Sequence, residues 1–196
     1  MQKLVIASNN PGKLREFQML LAPLNVEVLT QAQLGILEAK EPHCTFIENA
    51  LAKARYVSQV CGLPALADDS GICVQALGGA PGVQSARYAG EPKSDQRNNE
   101  KLLLDMQGMT DRRAHYYCVL VLVRHADDPQ PLIAEGEWHG EIALRQRGEG
   151  GFGYDPLFWL PETGRMSAEL SHDEKVQVSH RAKALHILLQ RLRSSN

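Results

Sequence analysis

Apolar positions along this chain recur at two spacings, short unbroken runs and helical stripes. Lys3–Ala7 is an unbroken run at the N-terminus and predicts a buried central strand, and Asn25–Thr30 predicts a second. Between them Leu14, Phe17, Leu20 and Leu21 mark a helix, with Pro11 in its first turn and Asn9 or Asn10 as cap. Thr45-Phe46-Ile47-Glu48 is a capping box. The helix it opens turns Ile47, Ala50, Leu51, Ala54, Val57 and Cys61 inward and stops at Gly62. Leu63–Ala67 reads as the end of a buried strand opening into an Asp68-Asp69-Ser70-Gly71 turn, after which Ile72–Leu77 predicts another short strand. Ser94 caps a helix that carries Leu102, Leu103 and Met106 inward. Arg112–His125 and Pro131–Leu144, joined by Asp127-Asp128-Pro129, predict a long antiparallel hairpin that His115, Tyr116 and Tyr117 merely decorate. Ser171 to Glu174 is a second capping box. Ser179 then caps a final helix with Leu185, Leu188, Leu189 and Leu192 as its stripe.

Composition narrows the function classes. A chain of 196 residues, 43% hydrophobic and 22% charged, predicts one domain, or two lobes sharing a core. Its net charge of −2 gives no footprint for nucleic acid or a membrane surface. No apolar run approaches the roughly 20 residues of a membrane span, and Met1–Ala7 lacks the layout of a signal peptide. Cys44, Cys61, Cys73 and Cys118 are scattered without a C-x-x-C pair, as free thiols of a reducing cytoplasm would be.

Four stretches carry candidate chemistry. Asp68 and Asp69 follow a strand, where an acid can reach a site rim, and strand alternation would turn them to opposite sides; the same residues also build an ordinary turn. Ser8–Lys13 joins a strand to a helix N-terminus with a lysine one turn in, a seat for an anion or simply a well-capped helix. It is not a Walker A loop. Asn49 and Lys53 lie four apart on one helix face; Lys53 becomes a phosphate ligand, and Glu41 a metal ligand, if that face lines a site. Gly148-x-Gly150-x-x-Gly153 has dinucleotide-motif spacing, but Asp155-Pro156 favours an extended segment over a helix. Its glycines and aromatics suit a flat ligand, or a loop packed on its own rings.

In combination, Ser8–Lys13, Thr45–Lys53, Ala67–Gly71, Gly151–Pro156, and Lys175 with Ser179-His180-Arg181 resemble the inosine/xanthosine triphosphate pyrophosphatases. The resemblance runs nearly end to end. It implies an α/β fold, an elongated mixed sheet with flanking helices in two lobes around a cleft, and a homodimer. It also implies Mg²⁺-dependent hydrolysis of ITP, dITP and XTP to monophosphate and pyrophosphate. By matched position, Asp69 is the implied catalytic acid and, with Glu41, a metal ligand. Ser8, Asn9, Asn10, Pro11, Gly12 and Lys13 form the implied phosphate turn, with Lys53 and Ser70 as further phosphate contacts. Phe152, Gly153, Tyr154, Asp155, Lys175, His180 and Arg181 form the implied base and sugar pocket. Asn9 replaces the family's usual glycine, and Lys40 stands where an acid often precedes Glu41. Those departures leave a nucleotide-binding module without turnover as the alternative.

Overall fold

The computed structural model describes residues 3–22 and 26–194; Asn25, the expected start of the second strand, lies outside them. Seven strands form one mixed sheet in the order β2-β1-β3-β4-β5-β6-β7. They are β1 (Lys3–Ile6), β2 (Glu27–Thr30), β3 (Ala65–Val74), β4 (Arg113–Val123), β5 (Leu132–Ile142), β6 (Phe158–Leu160) and β7 (Arg165–Met166). The helices are α1 (Pro11–Leu21), α2 (Phe46–Cys61), α3 (Asp95–Asp105), α4 (His172–Val178) and α5 (His180–Ser194). This is the α/β arrangement, mixed sheet with flanking helices, that the resemblance implies. Among the described residues no helix is long and apolar enough to cross a membrane.

Strand β1 pairs in parallel with both β2 and β3, in registers Val5↔Leu29 and Val5↔Ala65. Ile142 N–H donates to the Arg112 carbonyl at 2.8 Å, which joins the start of β4 to the end of β5 as the hairpin requires. β6 and β7 add antiparallel strands. Gly140 is required where β6 crosses β5, because a Cβ there would lie 2.5 Å from the Trp159 carbonyl oxygen.

The largest departure from the expected elements is β3. Asp68-Asp69-Ser70-Gly71 is not a turn: the strand continues through it to Val74. Local composition favours a turn there, but a strand whose neighbours supply the ladder and whose faces are covered overrides that preference. Asp155-Pro156, expected to favour an extended segment, lies in a run of turns over residues 153–157. On α2 the buried set is Asn49, Ala50, Ala54, Val57 and Ser58, whereas Ile47 is exposed and Leu51 and Cys61 are half-buried. The helix is therefore rotated toward Asn49, whose amide closes a pair of hydrogen bonds with the His43 backbone at 3.0 and 3.1 Å.

The chain divides into two compact units. Unit one holds residues 1–69, 118–136 and 181–196; unit two holds 70–117 and 137–180. Unit one has a core of Leu4 and Ile6 from β1, Phe17 and Leu21 from α1, Leu66 from β3, Cys118, Leu120 and Leu122 from β4, and Ala184, Leu185 and Leu188 from α5. Val119, Val121 and Val123, on the other face of β4, are equally buried, as expected for a strand covered on both sides. Unit two packs Ile72 and Val74 with Leu102, Met106, Tyr116, Trp138, Tyr154 and Phe158.

Candidate active site

The alternation of β3 decides where its two carboxylates go. Asp68 shares a strand face with Leu66, the face against which α1 and α5 pack, and Asp69 takes the other. Asp68 meets Lys13 of α1 at 2.8 Å and Arg181 of α5 at 3.2 Å. Arg181 also grips Glu16 of α1. Glu16, Asp68 and Arg181 are each buried to 3% exposure or less, so this is an interior network of charges. Burial alone would raise the Asp68 carboxyl, but Lys13, Arg181 and Lys53 together hold it well below the usual carboxylate range.

On the opposite face Asp69 meets α2. Lys53 bridges Asp69 Oδ1 at 3.1 Å and Glu41 at 2.6 Å. Burial is the largest influence on the Lys53 ammonium and lowers its pKa, yet Asp69, Asp68 and Glu41 outweigh it and the net shift is upward. For Asp69 burial prevails over Lys53 and Lys13, and its carboxyl is raised. Asp69 Oδ2 is buried and has no hydrogen-bond partner among the described residues.

The Ser8–Lys13 turn folds as the well-capped helix start that was one of its two readings. Asn10 is the cap and Pro11 the first helical residue; Ser8 Oγ accepts from Asn10 N–H at 3.2 Å. The Gly12 and Lys13 amides both donate to Asn10 Oδ1, at 2.9 and 3.1 Å. The cap side chain thus takes the helix-end donors itself, and Lys13 is the cation this turn supplies. Asn9 is exposed, and Ser70 sits half-buried next to Asp69.

Unit two gathers the glycine-rich loop. Asp155 is 1% exposed and accepts from Phe152 N–H at 2.8 Å, Ser167 Oγ at 2.9 Å and Tyr116 Oη at 3.4 Å, and it is paired with Lys175. Its carboxylate organises the loop and does not face outward as an acceptor. Gly151 is obligatory, since a Cβ there would lie 2.1 Å from Asp155 Oδ2. The Lys175 ammonium stands 4.6 Å from the centre of the Phe152 ring, and Tyr154 Oη donates to the Ser85 carbonyl at 2.7 Å. His180 stacks on Tyr116 at 4.8 Å with planes 10° apart. Tyr116, expected only to decorate the hairpin, joins this cluster through Asp155.

Expected residues therefore come together in each unit: in unit one Lys53, Asp69 and Glu41, with Lys13 on the neighbouring Asp68, and in unit two Phe152, Tyr154, Asp155, Lys175 and His180. Arg181, expected beside a base, lies in unit one with its guanidinium on Glu16 and Asp68. Sequence reasoning missed Glu16, Ser167 and Tyr116. Glu16 had a signal: it sits beside Phe17 in the apolar stripe of α1, three residues from Lys13, where a charge needs a partner.

The donor set also bears on a metal. Among the described residues no group of three or more His, Cys, Asp or Glu side chains is placed to hold an ion. Magnesium commonly takes one or two carboxylates and completes its shell with water and substrate phosphates. Glu41 and Asp69 are such a pair, already sharing one cation, with a buried Asp69 oxygen left over. The residues fit.

The Ham1 family matches residues 4–191. A protein of Nitrosomonas europaea named dITP/XTP pyrophosphatase is 65% identical over 98% of this chain and 95% of its own length. One of the same name from Ralstonia nicotianae is 65% identical over 98% of both. The solved structure of a HAM1 protein from Coxiella burnetii is 44% identical, with a TM-score of 0.93 over 99% of this chain and 100% of that one. Matched from β1 to α5 by sequence and by fold, the chain belongs to the Ham1 family.

Proposed function

We propose that this protein hydrolyses dITP, ITP and XTP to the nucleoside monophosphate and pyrophosphate, removing non-standard purine nucleotides from the pool. The observation that carries the reading is the Glu41–Lys53–Asp69 cluster with its spare buried carboxylate oxygen. The names of the relatives support the substrate class.

In this reading Lys13 and Lys53 neutralise phosphate oxygens, where charge accumulates as water attacks the α-phosphorus and the bond to the leaving pyrophosphate breaks. Asp69 orients that water and accepts its proton. Asp69 and Glu41 would hold the magnesium ion, which supplies Lewis-acid stabilisation of the phosphoryl oxygens when bound. Asp68 stays ionised and keeps Lys13 in position.

By resemblance the purine is assigned to the Phe152 ring. The single Phe152 N–H is spent on Asp155, whereas Lys175 gives Asp155 one of its three N–H donors and is the group we assign to the carbonyl on the six-membered ring of inosine and xanthine. Adenine carries an amino group there, and a buried donor left unpaired costs about 1–3 kcal/mol. A homodimer is the assembly implied by resemblance, and light scattering in solution checks it.

The test is purified protein with Mg²⁺ and a panel of dITP, ITP, XTP, ATP and GTP. Pyrophosphate release from the first three, well above ATP and GTP, is the expected result. Release of single phosphates, or equal turnover of ATP, rejects it. Binding without any turnover would favour a nucleotide-binding module. Asp69→Asn should abolish turnover with the circular dichroism spectrum unchanged; retained activity would move the catalytic role elsewhere.

A further inference from the structure

The loop that carries Phe152 is held from two sides. Asp155 holds it from within. From the other side, both backbone polar groups of Gly153 are taken by the start of α3: Gly153 N–H donates to Asp95 Oδ2 at 2.7 Å, and Asn99 Nδ2 donates to the Gly153 carbonyl at 2.8 Å. Asn99 Nδ2 also donates to the Asp95 carbonyl at 2.9 Å, so the two residues act as one clamp. The peptide groups on either side of Gly153 (φ +63°) are thereby fixed in orientation, and they connect Phe152 to Tyr154.

Helix stability does not explain this pair. An acid in the first turn is favoured by the helix dipole, which accounts for Asp95 alone. Asn99 is 2% exposed inside a helix, where asparagine is a poor helix former and an apolar side chain would fill the space. Its Oδ1 is buried and has no hydrogen-bond partner among the described residues, an arrangement that costs stability. What the asparagine provides in return is the hydrogen bond to the Gly153 carbonyl.

We infer that Asp95 and Asn99 are positioning residues for purine selection: by clamping Gly153 they set the attitude of the Phe152 ring and its spacing from Lys175. The inference rests on the base assignment proposed above. Both residues belong to unit two, with the loop they hold, so the clamp acts on recognition of the base and not on the hydrolytic step.

The experiment compares full-length wild type, Asp95→Ala, Asn99→Ala and Asp95→Asn. It reads kcat and KM for XTP and ATP, and hydrogen exchange across residues 151–155. Loss of one such bond is expected to raise KM for XTP about tenfold, leave kcat within about twofold, and lower the XTP-over-ATP preference about tenfold. Exchange at the Gly153 amide should speed up about tenfold in Asp95→Ala. Asp95→Asn retains an acceptor oxygen and should stay within about threefold of wild type. Unchanged KM and preference in both alanine variants, or a fall in kcat at constant KM, overturns the inference. So does an Asp95→Asn protein as impaired as Asp95→Ala. If Asn99→Ala fails to fold, Asp95→Ala, at an exposed position, decides. A wild type that turns over none of the triphosphates sinks the proposed function instead; XTP affinity by calorimetry then replaces KM, and the same ratios decide the clamp.

Discussion

Arg181 is a cation wholly enclosed by protein and held between two enclosed carboxylates, Glu16 and Asp68. Removing one member of such a group leaves the others charged and without compensation, which typically costs about 3–5 kcal/mol. Arg181→Met should therefore lower stability by about that amount in urea denaturation. Arg181→Lys should lose less, because it keeps the charge but not the fork that reaches both acids. A loss under about 1 kcal/mol for Arg181→Met would show that the network relaxes around the gap. Glu16 alone carried a signal in the sequence; its pairing did not, since Glu16 and Arg181 are 165 positions apart and no local pattern joins them.

Helix caps were the most legible elements. Asn10, Thr45, Ser94 and Ser171 each accept from the backbone N–H expected of a cap, because capping depends on residues only two or three positions away. β3 was misread for the converse reason: its neighbours β1 and β4 come from distant parts of the chain. The hairpin turn between β4 and β5 offers an element-scale test. Asp128 is fully enclosed there, accepting from the Arg124 and Gln130 amides, both at 2.9 Å, and from the Arg124 guanidinium. Asp128→Ala leaves those amides unmet and should cost about 1–3 kcal/mol. Hydrogen bonds from Arg124 are the main cause holding this carboxyl below the ordinary value. Its folded pKa is thus depressed, so its contribution is complete above the unfolded value of about 3.9 and is lost as pH falls toward the folded one. The stability gap between wild type and Asp128→Ala should be constant from neutrality to about pH 5 and shrink in stronger acid.

At the scale of the whole molecule, each unit has its own core, and the thiols report on unit one. Cys44 is exposed, whereas Cys118 is enclosed in the unit-one core and its thiol is pushed up to about 12, chiefly by burial. A thiol reagent at neutral pH should label Cys44 quickly and Cys118 only as fast as unit one opens, with a rate that rises with urea in step with unfolding. Rapid native labelling of Cys118 would contradict the enclosed core. The α/β architecture and the roles in a base pocket were legible through resemblance, whereas Lys13, Glu41, Lys53 and Asp69 were already candidates from local pattern. The division of these residues between units was not legible, because it depends on where β3, β4 and α5 carry the chain from one core to the next. That β3 runs unbroken through neighbouring aspartates has a consequence for the kinds of change this gene tolerates. Sliding the strand by a single position would hand the α2 lysine the wrong acid and leave the arginine of α5 with Glu16 alone. Inserting one alanine between Leu66 and Ala67 should therefore do more harm than most substitutions nearby, although it removes no functional group.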